Sequence, residues 1–186
     1  MLGAVVLSQS TLNPIIQEMG QKYGIEPELI KAHIKVESNW DVNASRFEAH
    51  KNDASWGLMQ LLLSTAREVL QNPNLTTTQL IQPRNNIEAG TRFISQLRSR
   101  FGNVRNAIAA YNAGSPRLDS TGKNYVNQDY VDKVTNAYNQ YKTIGMAVST
   151  EDFIPSMNNP TTVSIYTILV VAGAAALVFM PKREGV

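Results

Sequence analysis

The chain has no cysteine and only two histidines among its 186 residues, and these two shortages remove several kinds of chemistry at once. Disulfides, thiol nucleophiles and thiolate metal sites need cysteine. His33 and His50 stand too far apart to form a helical ligand pair, and neither belongs to an H-E-x-x-H spacing. A metal-dependent peptidase is therefore disfavoured, and no metal is expected. The charge is nearly balanced, at +2 with 17 basic and 15 acidic residues, and no basic stripe or nucleic-acid motif accompanies it, so no nucleic acid is expected as a partner. No stretch alternates convincingly between apolar and polar residues, so strands are not expected either.

Helical periodicity is present. Asn13 to Tyr23 reads as a short amphipathic helix with Pro14 in its first turn and Gly24 to end it. Pro27 is a natural first helical residue after Glu26, and Leu29, Ile30, Ile34 and Val36 carry a second helix to about Ser38. Glu37 falls in its last turn. Asn39 to Trp56 is polar and aperiodic, which predicts a surface loop; Gly57-Leu58-Met59-Gln60 then leads into a helix capped by Ser64 or Thr65. Ile87, Gly90, Ile94, Leu97 and Phe101 predict a core helix over 86–101, stopped by Gly102. A shorter helix from Asn103 to Tyr111 is closed by Gly114, and Tyr130, Val131, Val134, Ala137, Tyr138 and Tyr141 mark a last amphipathic one. The fold class is all-α.

The pattern changes after Lys142. Residues 143–162 hold Pro155, Pro160 and small polar residues, and read as a linker. Residues 163–180 are uncharged, spanning roughly 27 Å as a helix, about the hydrocarbon thickness of a bilayer. They predict a single transmembrane helix, followed by a short basic tail over 181–186. Lys182 and Arg183 lie beyond that segment, while 143–162 has no Lys or Arg, so the C-terminus is expected inside and the domain over 1–142 outside. The run from Leu2 to Leu7 is too short for a secretory signal. Carriage in a bacteriophage virion, delivered to the wall from outside, reconciles these two readings and adds virion or envelope assembly partners to the expectation.

Four ordered segments carry the chemistry: Glu37-Ser38, Gly57-Leu58-Met59-Gln60, Ala110-Tyr111-Asn112-Ala113-Gly114 and Tyr130-Val131. Together with Asn86-Ile87-Glu88-Ala89-Gly90, and over about 25–141, the chain resembles the soluble lytic transglycosylase family. The resemblance implies an α-helical, lysozyme-like domain that cleaves the β-1,4 bond between N-acetylmuramic acid and N-acetylglucosamine in peptidoglycan, without water, metal or cofactor, leaving a 1,6-anhydro end. It implies Glu37 as catalytic acid and base. It places Met59 and Gln60 in the cleft, a thioether on a sugar face and an amide on a polar sugar group. Tyr111 would orient the carboxyl, Asn112 would contact the acetamido sugar, and Tyr130 would reach toward the same carboxyl.

Physical chemistry makes its own demand on Glu37. A donor to the leaving oxygen must hold its proton near neutral pH, which requires burial among apolar and aromatic groups. Ordinary glycosidases use two carboxylates, and no obvious second one accompanies Glu37. An intramolecular route, in which the substrate's N-acetyl oxygen stabilises the cationic carbon and its C6 hydroxyl attacks, needs only one. Glu48 or Asp53, in the loop that departs from the family's shortest versions, are the candidates if the enzyme is instead a lysozyme-type hydrolase. A catalytically inactive peptidoglycan-binding or virion structural protein is the alternative of another class; an intact Glu37 argues against it.

Overall fold

The computed structural model describes residues 6–49 and 52–151, together with 170–171 and 174–175. The domain is mostly helical. Helix α1, Gln9–Tyr23, begins four residues before the expected start because the Ser8 hydroxyl accepts from the Thr11 amide, and it ends where Gly24 adopts φ 66°. Helix α2, Pro27–Ser38, starts at Pro27 as expected and buries Leu29, Ile30, His33 and Ile34 on one face.

The segment expected to be a loop contains strands β1, Ser45–Glu48, and β2, Asp53–Trp56, which pair antiparallel with Ser45 opposite Trp56; β3, Leu61–Leu62, adds to the other edge of β2. The all-α expectation is corrected to a mainly helical domain with a small sheet. Runs of two to four residues are too short to show a period of two, and β1 is largely exposed, so it carries no alternating apolar signature. Helix α3, Leu63–Leu70, follows, with Leu62 in the capping position and no side-chain cap. Ser64 therefore does not cap it; its hydroxyl donates to Asp53 Oδ2 over 3.0 Å, tying the helix to the hairpin.

A short helix α4, Thr77–Leu80, is held by a reciprocal capping box between Thr76 and Gln79. Helix α5, Pro83–Phe101, is the central one, packing against α1, α2, α3 and α4 and against α6, Val104–Ala113. Helix α7 runs Gln128–Glu151, nine residues past Lys142, so the first part of the expected linker is helical. Thr143 to Glu151 contains no proline, and the first one after it, Pro155, lies beyond the helix end.

The main core cluster joins α1, α2, α5, α6 and α7. Leu12, Ile16, Leu29, Ile30, Ile34, Leu58, Met59, Ile87, Ile94, Ile108, Val131 and Val134 are buried together. A fully buried side chain of this kind contributes about 1.5–3 kcal/mol relative to exposure.

The predicted transmembrane helix and basic tail lie largely outside the described residues. The described part of 163–180 is a pair of two-residue strands, β4 (Val170–Val171) and β5 (Ala174–Ala175), joined antiparallel. Among the described residues no helix is long and apolar enough to cross a membrane.

One polar side chain in the core fixes the turn that enters the site. Asn86, fully buried, accepts the Met59 amide at 2.7 Å through Oδ1 and donates through Nδ2 to the carbonyls of Trp56 (2.9 Å) and Leu80 (3.2 Å). Gly57, at φ 75°, lies so close that a Cβ there would sit 2.5 Å from the Asn86 amide nitrogen. The turn therefore needs glycine for two independent reasons, its left-handed backbone and the room taken by Asn86.

Truncating Asn86 leaves a buried donor and two carbonyls short of a partner, at about 1–3 kcal/mol for a typical unsatisfied group. Asn86→Ala is expected to lower stability by about 3 kcal/mol, or roughly 6–12 °C in melting temperature, while Asn85→Ala stays within about 1 kcal/mol. Thermal unfolding followed by circular dichroism checks this; two variants that melt alike would contradict the role given to Asn86.

Candidate active site

The i, i+4 spacing of His33 and Glu37 puts both on one face of α2, a turn apart. Tyr130, at the start of α7, lies across from them. Its hydroxyl donates to Glu37 Oε1 over 2.6 Å and stands 3.2 Å from His33 Nδ1. The first turn of α7 is placed by Asn127, whose carbonyl accepts the amides of Tyr130 and Val131 and whose side chain donates to the Ala109 carbonyl and to Asn112 Oδ1. Helices α6 and α7 are thus joined beside the carboxyl.

Burial pushes the Glu37 carboxyl up to about 7; the Tyr130 hydrogen bond and the Arg46 charge pull it down, and Glu48 pushes it up. Burial also lowers His33 to about 3, so the imidazole is neutral. The Tyr111 and Tyr130 phenols are pushed well above their ordinary value by burial and then by the Glu37 charge. A carboxyl that is half protonated near neutrality can give a proton and take one back at the same pH.

Glu37 stands where two hollows meet. One, of about 770 Å³, is bounded by Val36, Asn127 and Tyr130. The other, of about 400 Å³, is bounded by Glu48, Gln60, Phe93 and Tyr111. Glu37, Arg46 and Asn112 line both. Among the described residues no group of His, Asp and Glu side chains is arranged to hold a metal ion.

The transglycosylase SLT domain family matches residues 14–140, well over half of the chain. The protein belongs to the transglycosylase SLT domain family. It is 33% identical over 127 residues to the membrane-bound lytic murein transglycosylase C of Yersinia enterocolitica, covering 60% of this chain and 34% of that protein. Against the protein of the same name from Photorhabdus laumondii the identity is 34% over 115 residues, with 55% of this chain and 31% of the other covered. The chain spans about a third of the length of these relatives. Among solved structures it superimposes on an inactive mutant of the lytic transglycosylase Slt from Pseudomonas aeruginosa with a TM-score of 0.61 and 27% identity, over 72% of this chain and 24% of the other. The 70 kDa soluble lytic transglycosylase of Escherichia coli gives a TM-score of 0.58 at 25% identity, over 72% and 24%. The lysozyme-like helical fold of these transglycosylases is therefore the fold of this SLT domain.

The residues singled out in the sequence do not all reach the cleft. Glu37, Tyr130, Tyr111, Asn112 and Gln60 line it. Met59 does not: its side chain is fully buried and fills the notch left by Gly90, where a Cβ would overlap the thioether. The expected packing of Met59 on a sugar face is corrected to a core role: its amide is bound to the buried Asn86, and its side chain occupies the space that a glycine at position 90 leaves on α5. Tyr111 also differs from expectation. Its hydroxyl donates to the Met59 carbonyl over 2.8 Å, so it holds the turn; among the described residues Tyr130 alone hydrogen-bonds the carboxyl. The Tyr111 ring still walls the site, 4.5 Å from the His33 ring and 5.2 Å from that of Phe93. Gln60 spends its amide on the Ala44 and Gly57 carbonyls and accepts from Ser55, bracing the hairpin against the turn.

Of the two candidate second carboxylates, Asp53 is turned away to the Ala54 amide and the Ser64 hydroxyl. Glu48 lines the smaller hollow, paired with Arg46 at 2.7 Å. The structure adds three residues that the sequence reading left without a site role: His33, Arg46 and Asn127. A histidine four residues before a candidate acid was a visible signal for the first. Arg46 and Asn127 carry none, since their proximity to Glu37 and Asn112 is made by the hairpin and the start of α7.

The raised Glu37 value has a consequence for stability. Between about pH 4.5 and 7 the folded chain keeps a proton that the unfolded chain has released, so stability falls as pH rises through that window and stays lower above it. Glutamine has no such loss. Glu37→Gln is expected to match wild type at pH 4 and to exceed it at pH 8 by up to about 3 kcal/mol. Thermal melts at the two pH values check this; equal melting at pH 8 would mean that the carboxyl is solvated.

Proposed function

We propose that the domain cleaves the glycan strands of peptidoglycan as a lytic transglycosylase, breaking the β-1,4 bond between N-acetylmuramic acid and N-acetylglucosamine and closing a 1,6-anhydro ring on the muramic sugar. The observation that carries this reading is a buried carboxyl, its pKa pushed up to about 7 by that burial, at the junction of two hollows where a bond between two sugars would lie. Membership of the SLT domain family and the names of the relatives support the substrate class.

In the first step Glu37 gives its proton to the glycosidic oxygen as the bond from that oxygen to C1 of the muramic sugar breaks. The sugar's own N-acetyl oxygen stabilises C1. The C6 hydroxyl then attacks C1, and Glu37 takes the C6 proton back, which returns the enzyme to its starting state. Attack from within one molecule gains a large effective molarity over bulk water. Tyr130 steadies Glu37 throughout by donating to Oε1, and its hydrogen bond stabilises the carboxylate formed after the first transfer. Asn112, with its carbonyl oxygen taken by Asn127, offers its amide hydrogens to an acetamido group. Tyr111 and Phe93 supply apolar wall to the smaller hollow.

The same reading places the domain at the cell wall, held to a membrane by residues 163–180 and opening the wall locally. Support for the membrane part comes from the apolar composition of that segment and from relatives described as membrane-bound.

Digestion of purified peptidoglycan followed by mass spectrometry tests the proposal. Wild type is expected to release anhydro-muropeptides, and Glu37→Gln to lose about 100- to 10,000-fold in rate. Reducing ends in place of anhydro ends would mean hydrolysis and turn attention to Glu48. No products from wild type would favour a binding role.

A further inference from the structure

His33 has no part in the proton transfers described above, yet it is buried in the middle of the site. Its ring is fully buried, lies 4.5 Å from the Tyr111 ring, and meets the Tyr130 hydroxyl through Nδ1 at 3.2 Å. Its other nitrogen, Nε2, is buried and has no hydrogen-bond partner among the described residues. The three groups form a line, His33 Nδ1, Tyr130 Oη and Glu37 Oε1, with one phenolic proton in the middle.

A line of hydrogen bonds has a direction, and the tautomer of a neutral imidazole sets it. With the proton on Nε2, a buried donor is left without an acceptor, and Nδ1 becomes an acceptor that competes with Glu37 for the phenolic proton. Protonated Glu37 would then donate to Tyr130, and its acid proton would point back into the protein. With the proton on Nδ1, only a lone pair at Nε2 goes unmatched. The line then runs from the ring to the phenol to the carboxyl, and each bond strengthens the next. No hydrogen bond from the described residues reaches the second carboxyl oxygen, Oε2, so the acid proton can reside there.

We propose that His33 is a positioning residue: it donates from Nδ1 to the Tyr130 hydroxyl, which commits the Tyr130 proton to Glu37 Oε1 and keeps the acid proton of Glu37 on Oε2, available to the substrate. The role in catalysis rests on Glu37 being the acid; the direction of the line does not. Burial supports it by holding the ring neutral across the working range. Among the described residues, the charged and titratable groups that act on Glu37 or meet the Tyr130 phenol are Tyr130 from α7, Tyr111 from α6, Arg46 and Glu48 from β1 and His33 from its own helix, while Asp119, Asp129 and Lys133 line the larger hollow; His33 is the one whose tautomer can orient the phenol.

Two measurements on the full chain test this. Nitrogen-15 NMR of the His33 ring is expected to show a protonated, pyrrole-type Nδ1 and an unprotonated, pyridine-type Nε2 at both pH 5 and pH 8. The proton on Nε2, a tautomer that switches between the two pH values, or a ring that titrates near its ordinary value would overturn it. In activity, His33→Phe fills the space without a donor and is expected to lower kcat at least about tenfold at little change in KM. It is also expected to move the alkaline limb of the pH profile upward, because the carboxylate loses support. His33→Asn can place an amide donor at the same point, and is expected to recover most of kcat and the wild-type limb. If both variants lose activity alike with an unmoved limb, His33 is packing only and the proposal fails. If Glu37→Gln stays active, the catalytic reading fails instead, and the NMR result still decides the direction of the line.

Discussion

The arrangement depends on one unfavourable burial: a carboxyl held where its charged form is poorly solvated. Helix α2 carries Glu37 in its last turn, and the hairpin over 45–56 and the start of α7 close around it. Desolvation alone would push the group up further, and Tyr130 and Arg46 limit the shift to about 7. The balance matters for the proposed chemistry, because an acid held far above neutrality would give up its proton slowly, and one near its ordinary value would have lost it. Above about pH 4.5 stability is lower than it would be with a neutral side chain there.

The rest of the fold is arranged to make that burial hold. The core helix α5 supplies Asn86, which fixes the turn from Gly57 to Gln60; Gln60 in turn braces the hairpin through Ala44. Tyr111 closes the loop of interactions by reaching from α6 to the Met59 carbonyl. Asn127 then ties α6 to the start of α7, and so sets the position of Tyr130. Of the residues that look like substrate contacts, Met59 packs in the core against Gly90, and Tyr111 holds the Met59 carbonyl as well as walling the site.

Much of the helical fold was legible because long amphipathic segments repeat their signal several times: α2 and α5 begin or end at Pro27 and Gly102, where proline and glycine announce the boundary. The sheet was not, since β1 and β2 are four residues each and gain their register from pairing with each other. The extension of α7 beyond Lys142 was missed for a related reason: Thr143 to Glu151 has weak amphipathicity, and continuation of an existing helix is easier than starting one. At the site, motif and spacing identified Glu37, Tyr130 and Asn112, which line the cleft. They could not separate a methionine facing the cleft from one facing Gly90, because that depends on how the turn over 57–60 packs on α5, 27 residues along the chain. Nor could they show that His33 and Glu37 share one phenol, because Tyr130 stands 93 residues further along.

The measurement closest to the centre of this account is a titration of the Glu37 carboxyl carbon by carbon-13 NMR, with Glu37→Gln used to assign the signal. The structure predicts a midpoint about 7, with the group protonated over the acid half of the physiological range. A midpoint at the ordinary glutamate value, near 4.5, would show that the carboxyl is solvated, and would remove the basis for treating Glu37 as the acid.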